Sequence, residues 1–204
     1  MKNRTKFLLV FASAALLSCP VFAQQMGGMK MNDHQSMHGS PDAEKAPYDL
    51  QFIDTMSQHH RMGIDMMKLA EQRAKHSELK EMARKGIEEE EKEVQQMQGW
   101  KTDWYPNKPD AMNMNMPGMK ESMKGMSMND SMEKLSASSG EAFDKMFIDM
   151  MSKHHLGAIA MSKDAIKNGK HEEIKQFAQK LIDEQKAEIA QMAKWKKEWK
   201  LADK

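Results

Sequence analysis

The stretch Phe52-Ile53-Asp54-Thr55-Met56-Ser57-Gln58-His59-His60-Arg61-Met62-Gly63-Ile64-Asp65-Met66-Met67 decides the fold, because its pattern is helical and it occurs twice. Its apolar and histidine positions recur at alternating spacings of four and three, as on one face of an α-helix. Residues 147–161 repeat the pattern 95 positions later, with Phe147 and the pair His154-His155 in register. Each copy therefore predicts the inward face of a helix that carries two adjacent histidines.

The repeat extends well beyond the histidine pairs. An offset of 95 aligns the chain without a gap from about Phe52 to Trp104, and 25 of the 53 aligned positions are identical. That agreement is too high for two unrelated amphipathic helices. Each unit is expected to be an αα-hairpin, which cannot bury its apolar stripe alone, so two hairpins should form an all-α four-helix bundle with a pseudo-two-fold axis. Pairing between two chains is the alternative.

Composition divides the chain into five segments. Residues 1–23 are predicted to be a signal peptide, with a basic start, an apolar block and Val21-Phe22-Ala23 before the cleavage point. Residues 24–46 form a Met- and His-rich arm and residues 106–138 a Met-rich linker, both expected to be disordered. The first hairpin repeat then covers residues 47–105 and the second covers residues 139–204.

Local signals predict where the helices begin and end. Pro47 suits the first turn of helix one, and Ser77 is placed to cap helix two. Ser138, with Glu141 three residues on, predicts a capping box for helix three. Asn168-Gly169 predicts that this helix ends in the left-handed conformation.

The leader predicts an exported, periplasmic protein. Leu16-Leu17-Ser18-Cys19 also resembles a lipobox, so a lipid anchor on Cys19 is the minor alternative. In either case disulfides and thiolate metal sites are excluded, because Cys19 is the single cysteine. No later stretch is apolar for long enough to span a bilayer. Cleavage after Ala23 lowers the formal net charge from +1 to −2, which gives nucleic acid binding no electrostatic support.

The two histidine pairs are the first candidate metal ligands. Adjacent residues on a helix differ by about 100° in direction, so one of a pair can face the core while the other flanks it. The alternative is a buried neutral imidazole that is hydrogen-bonded to Asp54, Asp149 or a carboxylate on the facing helix. Repetition of both pairs favours metal binding, and imidazole suits copper, zinc, iron and nickel alike. The candidates are His59, His60, His154 and His155.

Methionine is the most unusual feature of the composition, with 24 in 204 residues. Several helical methionines lie on the apolar stripes, where adaptable core packing is the main alternative to ligation. Met62 lies off the main stripe and three residues after His59, so this face offers one nitrogen and two thioethers. Gly157 stands at the matching position of the second half, so the two sites are not expected to be equivalent. The stripe candidates are Met56, Met66, Met151 and Met161.

The methionines of the linker carry no helical core pattern. Exposed apolar and oxidisable side chains lower solubility and invite damage, so packing does not explain them. Thioether sulfur is a soft donor that prefers Cu(I) to Zn(II), iron or magnesium. Oxidant scavenging and compositional drift are the alternatives. The candidate ligands here are Met112, Met114, Met116, Met119, Met123, Met126 and Met128.

The acidic run Glu88-Glu89-Glu90-Glu91 raises an enzyme alternative. A ferritin-like di-iron centre needs Glu-x-x-His on each of two helices, and no such motif recurs in both halves. A charge run of this kind is usually a solvated face. We therefore expect no enzymatic activity. A metal-dependent ferritin-like oxidoreductase, or a structural bundle adaptor without metal, are the alternatives.

The motif Phe-x-x-x-Met-x-x-His-His, with the later Glu-(Val/Ile)-x-x-Met-x-x-Trp, resembles the family called domain of unknown function 305. The resemblance covers about residues 46–105 and 141–201. It implies a ferritin-like helical bundle, and the Met-rich exported members of CopM type imply periplasmic copper binding and resistance. The matching positions are His59, His60, Met56 and Met66 in the first half and His154, His155, Met151 and Met161 in the second.

Together these observations predict an exported protein that sequesters or shuttles copper. Cu(I) is expected at methionine thioethers and Cu(II) at histidines. A copper efflux protein or chaperone, and a second copy of the chain, are the expected macromolecular partners.

Overall fold

The structure, a computed structural model, describes residues 38–119, 122 and 128–201, without the side chains of residues 128–130. The predicted signal peptide, Cys19 and most of the predicted arm lie outside these residues. A short 3-10 helix, Ala43–Lys45, comes first. The α-helices are α1 (Tyr48–Arg73), α2 (Ser77–Trp104), α3 (Met128–Ala137), α4 (Gly140–Asn168) and α5 (Glu172–Glu198).

The long helices pair as the repeat predicts. Helix α1 packs on α2 and helix α4 on α5, and the two hairpins meet where α1 contacts α4. The prediction of an all-α bundle of two helical hairpins is therefore confirmed. None of the described helices combines the length and the apolarity that a membrane crossing requires.

Two buried apolar clusters fill the bundle, and each draws on both hairpins. The first cluster joins Phe52 of α1 to Phe177 of α5, with ring centroids 6.5 Å apart. The second cluster joins Leu79 of α2 to Phe147 of α4. The offset of 95 maps Phe52 of the first cluster onto Phe147 of the second. It likewise maps Leu79 of the second cluster onto Ile174 of the first. The start of α1 therefore lies beside the end of α4, and the two clusters are pseudo-symmetric.

A clasp between the hairpins fixes one end of the bundle. Asp49 of α1 is fully buried and accepts hydrogen bonds from the backbone N–H groups of Lys170 and His171, at 2.9 and 3.0 Å. Its Oδ2 also lies 2.6 Å from Nδ1 of His171, whose ring stacks on Trp104 at a centroid distance of 3.8 Å. The aspartate of one hairpin thus holds the start of α5 in the other.

The same clasp recurs 95 residues on. Asp144 of α4 accepts from the backbone N–H groups of Lys75 and His76, at 2.8 and 3.1 Å, and the His76 ring stacks on Trp199. This arrangement explains why Ser77 does not cap α2 as predicted. The N-cap is His76, and the Ser77 hydroxyl donates to Glu78 instead.

Two other helix ends also differ from the prediction. The N-cap of α4 is Ser139, and the Ser138 hydroxyl donates to the Leu135 carbonyl, so no capping box forms. Gly169 is extended, with φ −60° and ψ 139°, rather than left-handed. Glycine is needed there for space, because a Cβ would lie 2.6 Å from the Ala165 carbonyl oxygen.

Part of the segment expected to be a disordered linker has a defined structure. The Ala111 N–H donates to Asp54 at 2.7 Å, and the Asn113 N–H donates to the Thr55 hydroxyl at 2.9 Å. Helix α3 then follows and buries Leu135 in the second cluster. The polar side chains of α1 satisfy the backbone of this segment, which its composition alone does not reveal.

The end of the predicted arm is likewise structured. The N–H of Ser40 donates to the Met112 carbonyl at 2.8 Å, and the Ser40 hydroxyl accepts from the Met112 N–H at 3.0 Å. Ser40 therefore joins the described end of this arm to the segment after α2.

Candidate metal centre

The four histidines lie in the middle of α1 and α4, between the two apolar clusters, and none is more than 2% exposed. Because the helices are related by the pseudo-two-fold axis, equivalent histidines meet across it. The rings of His59 and His154 stack with centroids 3.7 Å apart and an interplanar angle of 26°. The sequence thus places both pairs at the crossing of the two hairpins.

The stacked pair has a defined proton arrangement at His154. Its Nε2 lies 3.0 Å from the backbone carbonyl of His59, so Nε2 carries the proton and donates it. The Nδ1 of His154 is then a lone pair, and it has no hydrogen-bond partner. In His59, Nε2 lies 3.2 Å from the Ser122 hydroxyl, and Nδ1 again has no partner.

Both stacked imidazoles are neutral near neutral pH. Burial lowers the pKa of His59 well below its usual range, and the neighbouring His154 lowers it further. Burial also lowers the pKa of His154 to about 3, with His155 as the second cause. A neutral imidazole can bind a metal without first losing a proton.

The flanking histidines face carboxylates of their own hairpins. His60 Nε2 lies 2.9 Å from Glu93 of α2. His155 Nε2 lies 2.6 Å from Glu188 of α5, although the contact lacks hydrogen-bond geometry. In both rings Nδ1 is buried without a partner. A carboxylate that accepts a hydrogen bond from the imidazole is the usual partner of a metal-ligating histidine. The same contact is also expected of a structural histidine that binds no metal.

The aspartates proposed as histidine partners have other roles. Asp54 pairs with Lys101 at 2.6 Å and accepts from the backbone of Ala111. Asp149 pairs with Lys145 and Lys196. Glutamates from the paired helix, rather than these aspartates, support the histidines.

The four imidazoles offer candidate ligand atoms, but they do not form an assembled coordination sphere. Within residues 38–119, 122 and 128–201, no group of three or more His, Cys, Asp or Glu side chains is gathered as a metal site. Any metal bound here must therefore draw on thioethers or move the side chains.

Methionines surround this region. Met62, expected to lie off the stripe, is buried and belongs to the first cluster. Met116 and Met119 are 3% and 0% exposed in the same cluster, so the inference that linker methionines have no core to fill is wrong for these two. Met56, Met97 and Met161 complete the set in the first cluster, whereas Met66 and Met151 lie in the second.

The remaining candidates are less enclosed or lie outside the description. Met112 and Met114 are half-buried, and Met114 packs against the first cluster. Met123 and Met126 lie outside the described residues. Met128 begins α3, and its side chain is not among those described.

Gly157 explains why the two halves differ beside the histidines. A Cβ at Gly157 would lie 1.7 Å from the Ser122 hydroxyl and 2.8 Å from the Gly118 carbonyl oxygen. Glycine therefore lets the connecting segment cross α4 at close range, and Ser122 thereby reaches His59. In the first half the matching residue, Met62, fills the core instead.

Two buried carboxylates were not identified from the sequence. Glu90 and Glu93 are each 6% exposed, although the acidic run was expected to be solvated. A Cβ at Gly63 would lie 2.6 Å from Glu90 Oε2 and 2.9 Å from His154 Cε1, so this glycine makes room for the carboxylate beside the imidazole. The spacing carries the signal, because Glu90 lies eleven residues after Leu79 and seven before Met97, on the buried face of α2.

The surroundings of Glu90 favour the neutral form of its carboxyl group. Burial raises the pKa of Glu90 well above its usual range, and the carboxylates of Glu93 and Glu188 raise it further. Its Oε2 has no hydrogen-bond partner. The region around the histidines therefore combines neutral nitrogen, sulfur and carboxyl groups in a buried setting.

Comparison with known proteins identifies relatives. The family model of the domain of unknown function DUF305 matches residues 49–196. The structure of CopM in its Cu(I)-bound form is 31% identical, with a TM-score of 0.61 over 74% of this chain and 96% of that chain. For CopM in its Cu(II)-bound form the values are 33%, 0.62, 74% and 97%.

A DUF305 protein from Streptomyces coelicolor is 25% identical, with a TM-score of 0.63 over 74% of this chain and 93% of that chain. No curated protein sequence matches the chain significantly.

Proposed function

The chain belongs to the DUF305 family. We propose that it is an exported copper-binding protein that sequesters or shuttles copper. Its likeness to CopM, whose structures include Cu(I)- and Cu(II)-bound forms, supports copper as the metal. The protein works in the periplasm in this proposal, where it contributes to copper resistance.

The observation that carries the proposal is the set of four buried imidazoles, each with an unpartnered Nδ1. A buried acceptor without a donor costs about 1–3 kcal/mol, so the arrangement is unfavourable unless something occupies it. Copper in either oxidation state binds imidazole. The neutral state of the stacked pair also removes proton competition above the acid range.

Sulfur donors select the oxidation state. Met56 and Met62 lie within one turn of His59, and Met116 and Met119 come from the connecting segment into the same cluster. Thioethers favour Cu(I), and the imidazoles also accept Cu(II). In this proposal the half-buried Met112 and Met114 pass copper between the interior and a partner, which we expect to be an efflux protein or chaperone.

Competition titration with a Cu(I) chelator tests the thioether role. We expect Met116→Leu/Met119→Leu to weaken Cu(I) binding at least tenfold. Met82→Leu/Met132→Leu, which alters two methionines packed against the second cluster, is the matched control and should change it less than threefold. Leucine keeps the volume of methionine, so both variants should fold.

Cu(II) titration tests the imidazole role. The double variant His59→Gln/His154→Gln should weaken Cu(II) binding at least tenfold. Both this variant and the unaltered protein should bind zinc more weakly than Cu(II). If the unaltered protein binds copper no tighter than zinc, or if none of these variants changes copper affinity, the proposal fails.

A binding role also predicts the absence of turnover. The copper-loaded protein should not catalyse oxygen consumption with ascorbate beyond the amount of bound metal. Sustained turnover that requires His59 and His154 would support the oxidoreductase alternative instead.

A further inference from the structure

A second group of side chains lies between α2 and α5, on the side of the histidines where these two helices face each other. A cavity of about 30 Å³ opens there. That is enough room for a cation with a water molecule. Its oxygen-bearing lining residues are Glu89, Glu90, Glu93, Glu184, Gln185 and Glu188.

The lining follows the repeat. The offset of 95 pairs Glu89 with Glu184 and Glu93 with Glu188, so the pseudo-two-fold axis relates the two walls. Glu90 is matched by Gln185, which keeps one carbonyl oxygen and lacks the ionisable group. Each hairpin therefore contributes three side chains at matching positions to one cavity, and they differ only at Glu90 and Gln185.

Two of these side chains are buried and lack partners. Glu90 is 6% exposed and Gln185 is 4% exposed, and Glu90 Oε2 and Gln185 Oε1 have no hydrogen-bond donor. A solvated acidic face would leave no such atoms. Two unsatisfied oxygen acceptors that line the same cavity are the arrangement that a bound cation relieves.

The charges around the cavity are incompletely neutralised. Lys180 reaches it from a half-exposed position, with its Nζ 2.9 Å from Glu93 and 3.1 Å from Glu184. Burial raises the pKa of Glu89, and the carboxylates of Glu188 and Glu184 raise it further, which shows that these carboxylates repel one another. A divalent cation would convert that repulsion into attraction.

We propose that this cavity binds an oxygen-ligated divalent cation of the Mn(II) kind, through Glu90, Gln185 and the flanking glutamates. Carboxylate and amide oxygens prefer hard cations, whereas the thioethers near His59 prefer soft ones. The carboxylates do not converge on one point without the cation, so binding draws the long glutamate side chains inward. This site does not depend on the copper proposal.

Mn(II) titration followed by electron paramagnetic resonance tests the site, because the signal of free Mn(II) disappears on binding. We expect the protein to bind one Mn(II) per chain and Glu90→Gln to weaken that binding at least tenfold. The matched control is Glu91→Gln, the same change at an exposed neighbour on α2, which should alter it less than twofold. Glutamine is the natural residue at the equivalent position 185, so the fold should survive.

A gain-of-function variant sharpens the test. Gln185→Glu makes the cavity symmetric and should tighten Mn(II) binding several-fold. The proposal is overturned if the protein binds no Mn(II) at millimolar concentration, or if Glu90→Gln and Glu188→Gln both bind it like the unaltered protein. Cu(I) affinity, measured on a Glu89→Gln variant that alters another carboxylate of the cavity, should not change, so the two proposals fail or stand separately.

Discussion

The first and second hairpins share the frame of the bundle and differ beside the histidines. Positions that join the hairpins are repeated, as Asp49 and its counterpart Asp144 show with their identical clasps. Positions next to the histidine stack are not, since Met62 is matched by Gly157. The duplication thus accounts for the scaffold, and later divergence accounts for the surroundings of the candidate site.

The connecting segment is the physical source of this asymmetry. One segment links two equivalent hairpins, so it can cross only one of the two equivalent helix surfaces at close range. It crosses α4, where Gly157 admits it, and brings Ser122 and Met119 toward α1. A symmetric pair of sites is therefore not available to this chain, whatever its symmetric histidines predict.

The largest expected effect concerns what the halves share, the neutral stacked histidines. An unfolded histidine has a pKa near 6.5, whereas both folded values lie lower, so acid protonates the unfolded chain first. Stability is therefore full above about pH 6.5 and falls as the pH drops below it. From pH 7 to 5 each histidine should remove about 2 kcal/mol, or about 4 kcal/mol for the pair.

Urea unfolding of the metal-free protein at pH 7 and pH 5 measures this loss. His59→Gln and His154→Gln should each recover about 2 kcal/mol of the difference between the two pH values, whatever they cost in stability overall. If the two variants recover unequal amounts of the stability lost at pH 5, the two histidines are not equivalent. If neither variant recovers any, His59 and His154 are not a neutral pair.

The next effect concerns the two clasps. Asp49→Ala and Asp144→Ala each remove a fully buried carboxylate that accepts two backbone hydrogen bonds. Because the N–H groups of the opposite hairpin lose their acceptor, each change should lower the free energy of unfolding by about 3 kcal/mol. Urea unfolding should give the two variants equal losses. Asp65→Ala, an exposed aspartate on α1, is the control and should change stability by less than about 0.5 kcal/mol.

A difference of more than about 1 kcal/mol between the two clasps would break the symmetry that the repeat implies. Loss of stability in only one of them would mean that the other end of the bundle is held by different contacts.

The hairpins, their pairing and the inward histidines were predictable, because helical periodicity and an ungapped repeat both record burial. The two clasps were not predictable from the sequence, although Asp49, His76 and Trp104 all recur at the offset of 95. Their contacts run from one hairpin to the other, and sequence spacing does not show which loop an aspartate will reach. Local capping rules accordingly favoured Ser77 over His76.

The surroundings of the histidines were the least predictable part. Methionine patterns in the segment after α2 have no helical period, and only the hydrogen bonds to Asp54 and Thr55 show that Met116 and Met119 turn inward. The acidic run was judged by its composition, whereas its register puts Glu90 inside. Both errors came from composition, and the three-dimensional register corrected them.

The smallest effect tests what the halves do not share, the close passage at Gly157. Gly157→Ala places a methyl group 1.7 Å from the Ser122 hydroxyl and 2.8 Å from the Gly118 carbonyl, so the segment must shift. Alanine ordinarily stabilises a helix interior relative to glycine, but here the overpacking should dominate and lower stability by about 2 kcal/mol. Urea unfolding measures the change.

Gly99→Ala is the matched control, because Gly99 lies within α2 and a Cβ there meets nothing within 4 Å. That variant should gain up to about 1 kcal/mol from helix propensity alone. Changes of opposite sign in the free energy of unfolding of the two variants would establish that Gly157 makes room for the connecting segment rather than supplying backbone freedom. If Gly157→Ala also stabilises the protein, Ser122 does not pass this close to α4, and the asymmetry at Met62 needs another cause.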